Sequence, residues 1–141
     1  MVGAGDGTEM ELIKEKDIKA TGIQINPEQT QECQEKGLYC EIMDMHELTF
    51  ADKEFDLVFC KDCFKQAMSH IIVWNEFVRV AKKYILISEP DDQWAWKAHN
   101  YLILTYEQFE MLAKKSGWKI SKYWEIPMPY VKQRNFLFER I

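Results

Sequence analysis

Residues Gly3-Ala4-Gly5-Asp6-Gly7 place three glycines at alternate positions close to the start of the 141-residue chain. Glycine lets a backbone turn tightly and approach a ligand closely. If a helix follows, its unpaired amide groups face an anion or another polar ligand. The spacing is G-x-G-x-G. It departs from the dinucleotide fingerprint G-x-G-x-x-G, whose last position falls on Thr8, and the lysine-containing phosphate loop is absent. On its own the cluster also fits a plain turn. A second constellation is Cys60-Lys61-Asp62-Cys63, a lone C-x-x-C. A structural zinc site needs four ligands. Cys33 falls on an expected helix and Cys40 at the amino end of an expected strand, so neither completes a set, and no metal is expected. Dithiol chemistry wants a low-pKa thiol at a helix amino end; the plain reading is two incidental cysteines. Three histidines complete the inventory: His46 in an exposed loop, His70 opening a helix, and His99 in the aromatic segment 94–101. That segment fits either a substrate cover, with His99 or Tyr101 as contacts, or a packed surface loop. Met43 and Met68 read as packing residues.

These residues need strands and helices to hold them. Thr8–Lys16 reads as a helix with Leu12 and Ile13 inward, and Ala20–Ile25 as a short strand. Asn26-Pro27 is a helix start, Asn as cap and Pro at the first helical position, with Gly37 as the stop. Tyr39–Met43 and Phe55–Cys60 are strands, the second apolar enough to expect burial on both faces. Ile71–Ala81 is a helix with Ile71, Trp74, Phe77, Val78 and Ala81 at helical spacing. Tyr84–Ser88 is a strand ending at Glu89-Pro90. Thr105–Gln108 reads as a capping box opening a helix that stops near Gly117. Lys119–Ile126 and Asn135–Arg140 are strands close enough in sequence to pair antiparallel. Such alternation predicts a mostly parallel sheet flanked by helices, with ligands at the carboxyl ends of its strands.

Composition fits one globular domain spanning 1–141: 47% hydrophobic, 13% aromatic and 29% charged residues. The net charge of −5 and the absence of a Lys/Arg run argue against a general nucleic-acid or anionic-membrane surface. No apolar run approaches the ~20 residues of a membrane span. With no signal-like segment in the sequence, the four cysteines are expected to be reduced, in a cytoplasmic protein.

Taken together, the motifs resemble class I S-adenosylmethionine-dependent methyltransferases. The glycine cluster resembles that family's first motif. Thr21–Glu28 resembles its second, G-x-D/E-x-S/N-P, and Met43–Phe50 with Phe55–Phe59 resembles D-x-x-x-L-P-F…F-D-x-V. Asn75–Lys83 and Asn100–Lys119 resemble the family's later helix and closing segments. The resemblance implies an α/β fold: a three-layer, Rossmann-like methyltransferase fold. Its sheet is mostly parallel, with an antiparallel strand near one edge. Only Met1 and Val2 remain for the first strand, so the start of the chain is expected to be short, displaced or mobile. The implied cofactor is S-adenosyl-L-methionine. By position, Gly3, Ala4, Gly5 and Asp6 would hold its amino-acid end. Gln24 would take the ribose, Ile25, Asp44 and Met45 the adenine, with Phe50 as a further wall. Cys60 and its neighbours would line the reacting methyl. Gln24 stands where the family has an acid; with one acceptor oxygen instead of two, it implies affinity lower by about fivefold, with Glu28 one turn further on as compensation.

Three functions compete on this basis. The first is methyl transfer to a small-molecule acceptor, with His99, His70 and Asp62 as the candidates for a catalytic role. The second is a catalytically impaired methyltransferase-like binding or interaction protein, favoured by Gln24 and the short start. A thiol-redox or nicotinamide-dependent oxidoreductase ranks third. Family members often set specificity with amino-terminal helices. Without them the substrate site is open, is covered by a second copy in a homodimer, or belongs to a longer protein.

Overall fold

The computed structural model describes residues 1–91 and 101–141. The chain divides into two compact units, Met1–Leu48 and Thr49–Ile141. The first unit runs α1 (Thr8–Lys14), β1 (Gly22–Gln24), α2 (Pro27–Glu35) and β2 (Cys40–Ile42). β1 and β2 pair in parallel, Ile23 opposite Glu41. Val2 adds one parallel bridge to Ile23. The residues before the glycine loop are thus anchored on β1. The Ile23 amide donates to the Met1 carbonyl (2.9 Å) and the Ala4 amide to the Ile23 carbonyl (3.0 Å).

Local chemistry sets the limits of α2. Asn26 Oδ1 accepts from the amides of Glu28 (2.8 Å) and Gln29 (3.3 Å), and Pro27 occupies the first turn, where its missing N–H costs nothing. At the other end Gly37 takes φ +69°. Its amide donates to the Gln34 carbonyl (2.9 Å), and the Leu38 amide reaches back to Cys33 (3.4 Å). This is the paired closure of a Schellman motif. Leu38 thereby joins a small core of Ala4, Met10, Cys33 and Cys40. On α1 the buried residue is Met10; Leu12, expected inward, is exposed. Gly22 makes the core possible, because a Cβ there would collide with Met10 Sδ and stand 3.0 Å from the Ala4 Cβ.

The second unit runs β3 (Phe55–Lys61), a 3-10 turn (Phe64–Gln66), α3 (His70–Val80), β4 (Ala81–Pro90), α4 (Tyr106–Lys115), β5 (Trp118–Pro127) and β6 (Lys132–Arg140). Its sheet has the order β3-β4-β6-β5. β3 and β4 are parallel, and β6 is antiparallel to both β4 and β5. Three of the four strands thus share one direction, and the reversed strand lies next to the edge, as expected. Thr105 caps α4 through the reciprocal box with Gln108.

The core of this unit is aromatic. Phe109 packs on Phe136 at 4.5 Å between ring centroids, and Trp74 meets Phe138 edge-on at 4.9 Å. Trp74 Nε1 donates to Ser116 Oγ (2.9 Å), giving the buried indole its partner. The inward face of α3 is His70, Val73, Trp74, Phe77 and Val80. Ile71, at helical spacing with Trp74 and Phe77, is nonetheless 63% exposed. Apolar residues at 71, 72, 73 and 74 make the phase ambiguous, and Trp74 and Phe77 carry the larger burial gain. β3 is buried only in part: Val58 and Cys60 face inward while Asp56 and Leu57 are exposed. Met68, read as a packing residue, is 90% exposed. Among the described residues no helix is long and apolar enough to cross a membrane.

Candidate functional site

In the first unit, three stretches of interest gather where the parallel strands end. The glycine loop follows the Val2 bridge, Gln24 closes β1, and Asp44 follows β2. Gly3, Gly5 and Gly7 all take positive φ: +69°, +57° and +89°. Residues with a Cβ are strained in this region, so the alternation of glycines is a backbone requirement. The Gly7 amide donates to the Ala4 carbonyl (3.0 Å), closing a turn with Gly5 in its second position. Gly7 has a steric reason as well, because a Cβ there would stand 2.7 Å from Leu38 Cδ1. Gly5 is different. A Cβ there would meet nothing within 4 Å, so the loop presents bare backbone to open space.

Asp6 Oδ1 accepts from the Thr8 amide (3.0 Å) and hydroxyl (2.8 Å). These bonds hold its carboxyl below the usual carboxylate range, with Lys36 adding to the effect at 3.4 Å. The loop therefore carries a formal negative charge next to the open backbone at Gly5. Gln24 Oε1 turns back on its own chain, accepting from the Ile25 amide (2.8 Å) and, at longer range, from the Asn26 amide (3.4 Å). Its one acceptor oxygen is engaged there. Ile25 is exposed. Asp44 Oδ1 accepts from the His46 amide (2.9 Å) and meets His46 Nδ1 at 2.6 Å. The amide bond is the main cause of a lowered carboxyl pKa. Asp44 is thus a strand-end turn residue that remains charged, and Met45 is half-buried beside it.

In the second unit, the carboxyl ends of β3 and β4 carry a polar cluster. The Asp62 amide donates to the Ser88 carbonyl (2.8 Å), continuing the ladder one residue past β3. Asp62 then takes φ +58° and turns the chain. Gln133 Nε2 donates to Asp62 Oδ1 (2.9 Å) and Ser88 Oγ (3.0 Å), and Ser88 Oγ donates to Asn135 Oδ1 (2.8 Å). Glu89 is fully buried, and its Oε1 accepts from the Lys65 amide. Glu89 Oε2 and Arg134 Nε have no hydrogen-bond partner among the described residues. Burial pushes the Glu89 carboxyl up to about 7, against the opposing pull of the Lys65 amide and Arg134.

Cys60 and Cys63 face one another, Sγ to Sγ at 2.9 Å. His70 packs edge-on against Phe64 at 5.0 Å. It also borders an open cleft of about 390 Å3, shared with Met68, Ile71, Leu104, Gln108 and Met111. His99 and the rest of segment 94–100 fall outside the described residues, apart from Tyr101, whose ring lies 5.9 Å from Lys65 Nζ. The network of buried Ser88, Glu89, Arg134 and Asn135 with half-buried Gln133 carries no role in the sequence reading. Its available signals were an acid terminating the apolar run YILIS and three polar residues heading the last apolar strand.

The chain was compared with known families and solved structures. Residues 1–110 match the family described as "Methionine biosynthesis protein MetW". The magnesium protoporphyrin IX methyltransferase of Synechocystis PCC 6803 with bound SAH superposes with a TM-score of 0.86 at 12% identity, covering 99% of this chain and 72% of that one. A SAM-dependent methyltransferase of Methanosarcina mazei gives 0.80 at 15% identity, covering 99% and 90%. The [4+2]-cyclase SpnF gives 0.82 at 15%, covering 99% and 73%. These similarities establish a Rossmann-like methyltransferase fold. The last of them is a reminder that this fold does not fix the reaction.

Proposed function

Since the chain belongs to the MetW family, with a methyltransferase fold around its glycine loop, we propose that it binds S-adenosylmethionine and transfers the methyl group to a small-molecule acceptor. One observation carries the proposal. Three left-handed glycines shape the loop, and at Gly5 its backbone lies bare to open space. A ligand can occupy that space, and a side chain would deny it. When bound, the cofactor supplies a methyl group activated on a sulfonium. The chain's part is to hold acceptor and methyl together, which accounts for much of the rate in such displacements.

In this proposal Gly3, Ala4 and Gly5 receive the amino-acid end, and the Asp6 carboxylate attracts its ammonium. Gln24 and Ile25 take the ribose and the near edge of the adenine. Asp44 accepts from the adenine amino group beside Met45. Cys60 belongs to the wall near the reacting methyl. His70, and His99 in turn, are candidates to face the acceptor, and the cleft beside His70 is large enough for a small organic molecule. Asp62 serves the turn after β3. Residues 1–141 act as one domain in the cytoplasm, and a homodimer is one way to cover the acceptor.

A specific observation supports a second reading. The acceptor oxygen of Gln24 is engaged by the backbone amides of Ile25 and Asn26, which leaves the ribose without a full carboxylate partner. A methyltransferase-like binding protein with impaired catalysis follows if that deficit is severe. Calorimetric titration with S-adenosylmethionine and S-adenosylhomocysteine is the test of binding. Saturable binding of either is expected, tightened about fivefold by Gln24→Glu, because a carboxylate can serve the backbone and the ribose together. Failure of both to bind at millimolar concentration would refute the proposal. Binding without methyl transfer to a metabolite panel would favour the second reading.

A further inference from the structure

Three of the four cysteines are buried; Cys63 alone is half-exposed. Its sulfur stands 2.9 Å from that of Cys60, closer than two sulfurs in ordinary van der Waals contact, roughly 3.6 Å on the scale of non-bonded contacts. The approach is built into the backbone. β3 ends at Lys61, and Asp62 takes φ +58°, a conformation that Asp tolerates better than most residues. The reversal returns Cys63 to Cys60, three residues behind it.

Independent bonds hold the turn in place. The Asp62 amide is fixed on Ser88 (2.8 Å), and Gln133 Nε2 grips Asp62 Oδ1 (2.9 Å). The 3-10 turn that follows Cys63 is tied down where the Lys65 amide meets the Glu89 carboxylate. The two sulfurs are therefore held together by the fold. Bringing them to bonding distance, ~2.05 Å, needs a movement of under about 1 Å.

We propose that Cys60 and Cys63 form a reversible redox modification site, closed to a disulfide by exchange with a small-molecule disulfide such as oxidised glutathione. Cys63, the accessible thiol, attacks first as its thiolate. One sulfur–sulfur bond of the small disulfide breaks, a mixed disulfide forms on Cys63, and one small thiolate departs. Cys60 Sγ then attacks Cys63 Sγ, the mixed disulfide breaks, and the second small thiol departs. The two protons of the cysteine thiols end on the two released thiols. The protein pair is oxidised by two electrons and the small disulfide is reduced by the same two. Burial and the neighbouring sulfur raise the Cys60 thiol well above its ordinary value, which leaves the first attack to Cys63.

Cys33 and Cys40 provide the internal comparison. Both are buried, so no thiol of that pair is accessible to begin the exchange.

The test uses the full chain. It is incubated with oxidised glutathione, quenched in acid, unfolded, alkylated and digested with trypsin. Cleavage after Lys53, Lys61 and Lys65 separates the two cysteines, so a disulfide shows as peptide 54–61 joined covalently to peptide 62–65. Expected are that joined species, its loss on treatment with dithiothreitol, and full alkylation of Cys33 and Cys40. Cys60→Ser is expected to leave glutathione trapped on Cys63. Cys63→Ser is expected to leave Cys60 unmodified. Alkylation of both Cys60 and Cys63 after oxidation would overturn the proposal. So would glutathione retained on Cys63 of the parent chain, or a bond that involves Cys33 or Cys40. If a variant fails to fold, the peptide map of the parent chain decides by itself.

Discussion

Glu89→Gln removes one ionisation from the interior of the second unit and keeps the side chain's size, together with an oxygen for the Lys65 amide. In the parent chain, burial raises the Glu89 carboxyl from 4.5 to about 7. The native state thus holds a proton that the unfolded chain has already released. The stability this group contributes is present in full below about pH 4.5 and is lost as the pH rises through about 7. The span between those values corresponds to about 3 kcal/mol. No discount for solvent screening applies, because Glu89 has no exposed surface. Urea unfolding of both proteins at about pH 5 and about pH 8 isolates the effect, since every other titrating group is common to the two. Moving to the higher pH should change their stability difference by about 2–3 kcal/mol in favour of E89Q, roughly 1–2 M in relative urea midpoint. Parallel profiles would refute the reasoning. They would mean that Arg134, directly across the strand pair from Glu89, holds it as an ordinary carboxylate.

Gly22→Ala puts a methyl group against Met10 Sδ and the Ala4 Cβ; it should cost about 1–3 kcal/mol in thermal unfolding, and Met10→Ala in the same chain should recover part of the loss. Thr105→Ala removes the oxygen that accepts from the Gln108 amide and should destabilise by about 1 kcal/mol in urea. Phe109→Ala opens a cavity among Phe64, Phe136 and Phe138 and should cost about 3–5 kcal/mol in the same assay. Gln24→Glu, read by calorimetry, should tighten S-adenosylhomocysteine binding about fivefold.

What the sequence disclosed depended on how local the physics was. Asn26-Pro27, Gly37 and the Thr105–Gln108 box act within a few residues, and each bounds its helix as expected. The reversed last strand was also legible, because a short link forces neighbouring strands to pair. Facing was harder. Leu12 and Ile71 are apolar but exposed, since each has apolar neighbours that compete for the same interior and Met10 or Trp74 wins. The exposure of Asp56 and Leu57 on β3 depends on what packs over the strand, which no local pattern encodes. In the candidate site, the glycine loop could be read from composition alone. The engagement of Gln24 Oε1 with the Ile25 amide could not, because a rotamer choice decides it. The network around Ser88 and Glu89 joins residues up to 47 positions apart, so its members have no shared signature along the chain.

The sheet order β3-β4-β6-β5 sets a timetable for synthesis. β5 leaves the ribosome before β6, its one partner strand among the described residues, and β4 waits for the same strand along its second edge. Until β6 emerges, one edge of β4 and both edges of β5 stand without a partner among the described strands, a state that invites association with other chains. Lys119 and Lys122 lie within the stretch of β5 that pairs with β6, and such charges discourage pairing with other chains. β6 joins β4 to β5 and so locks the sheet, and changes in it should show first as lost soluble yield during expression.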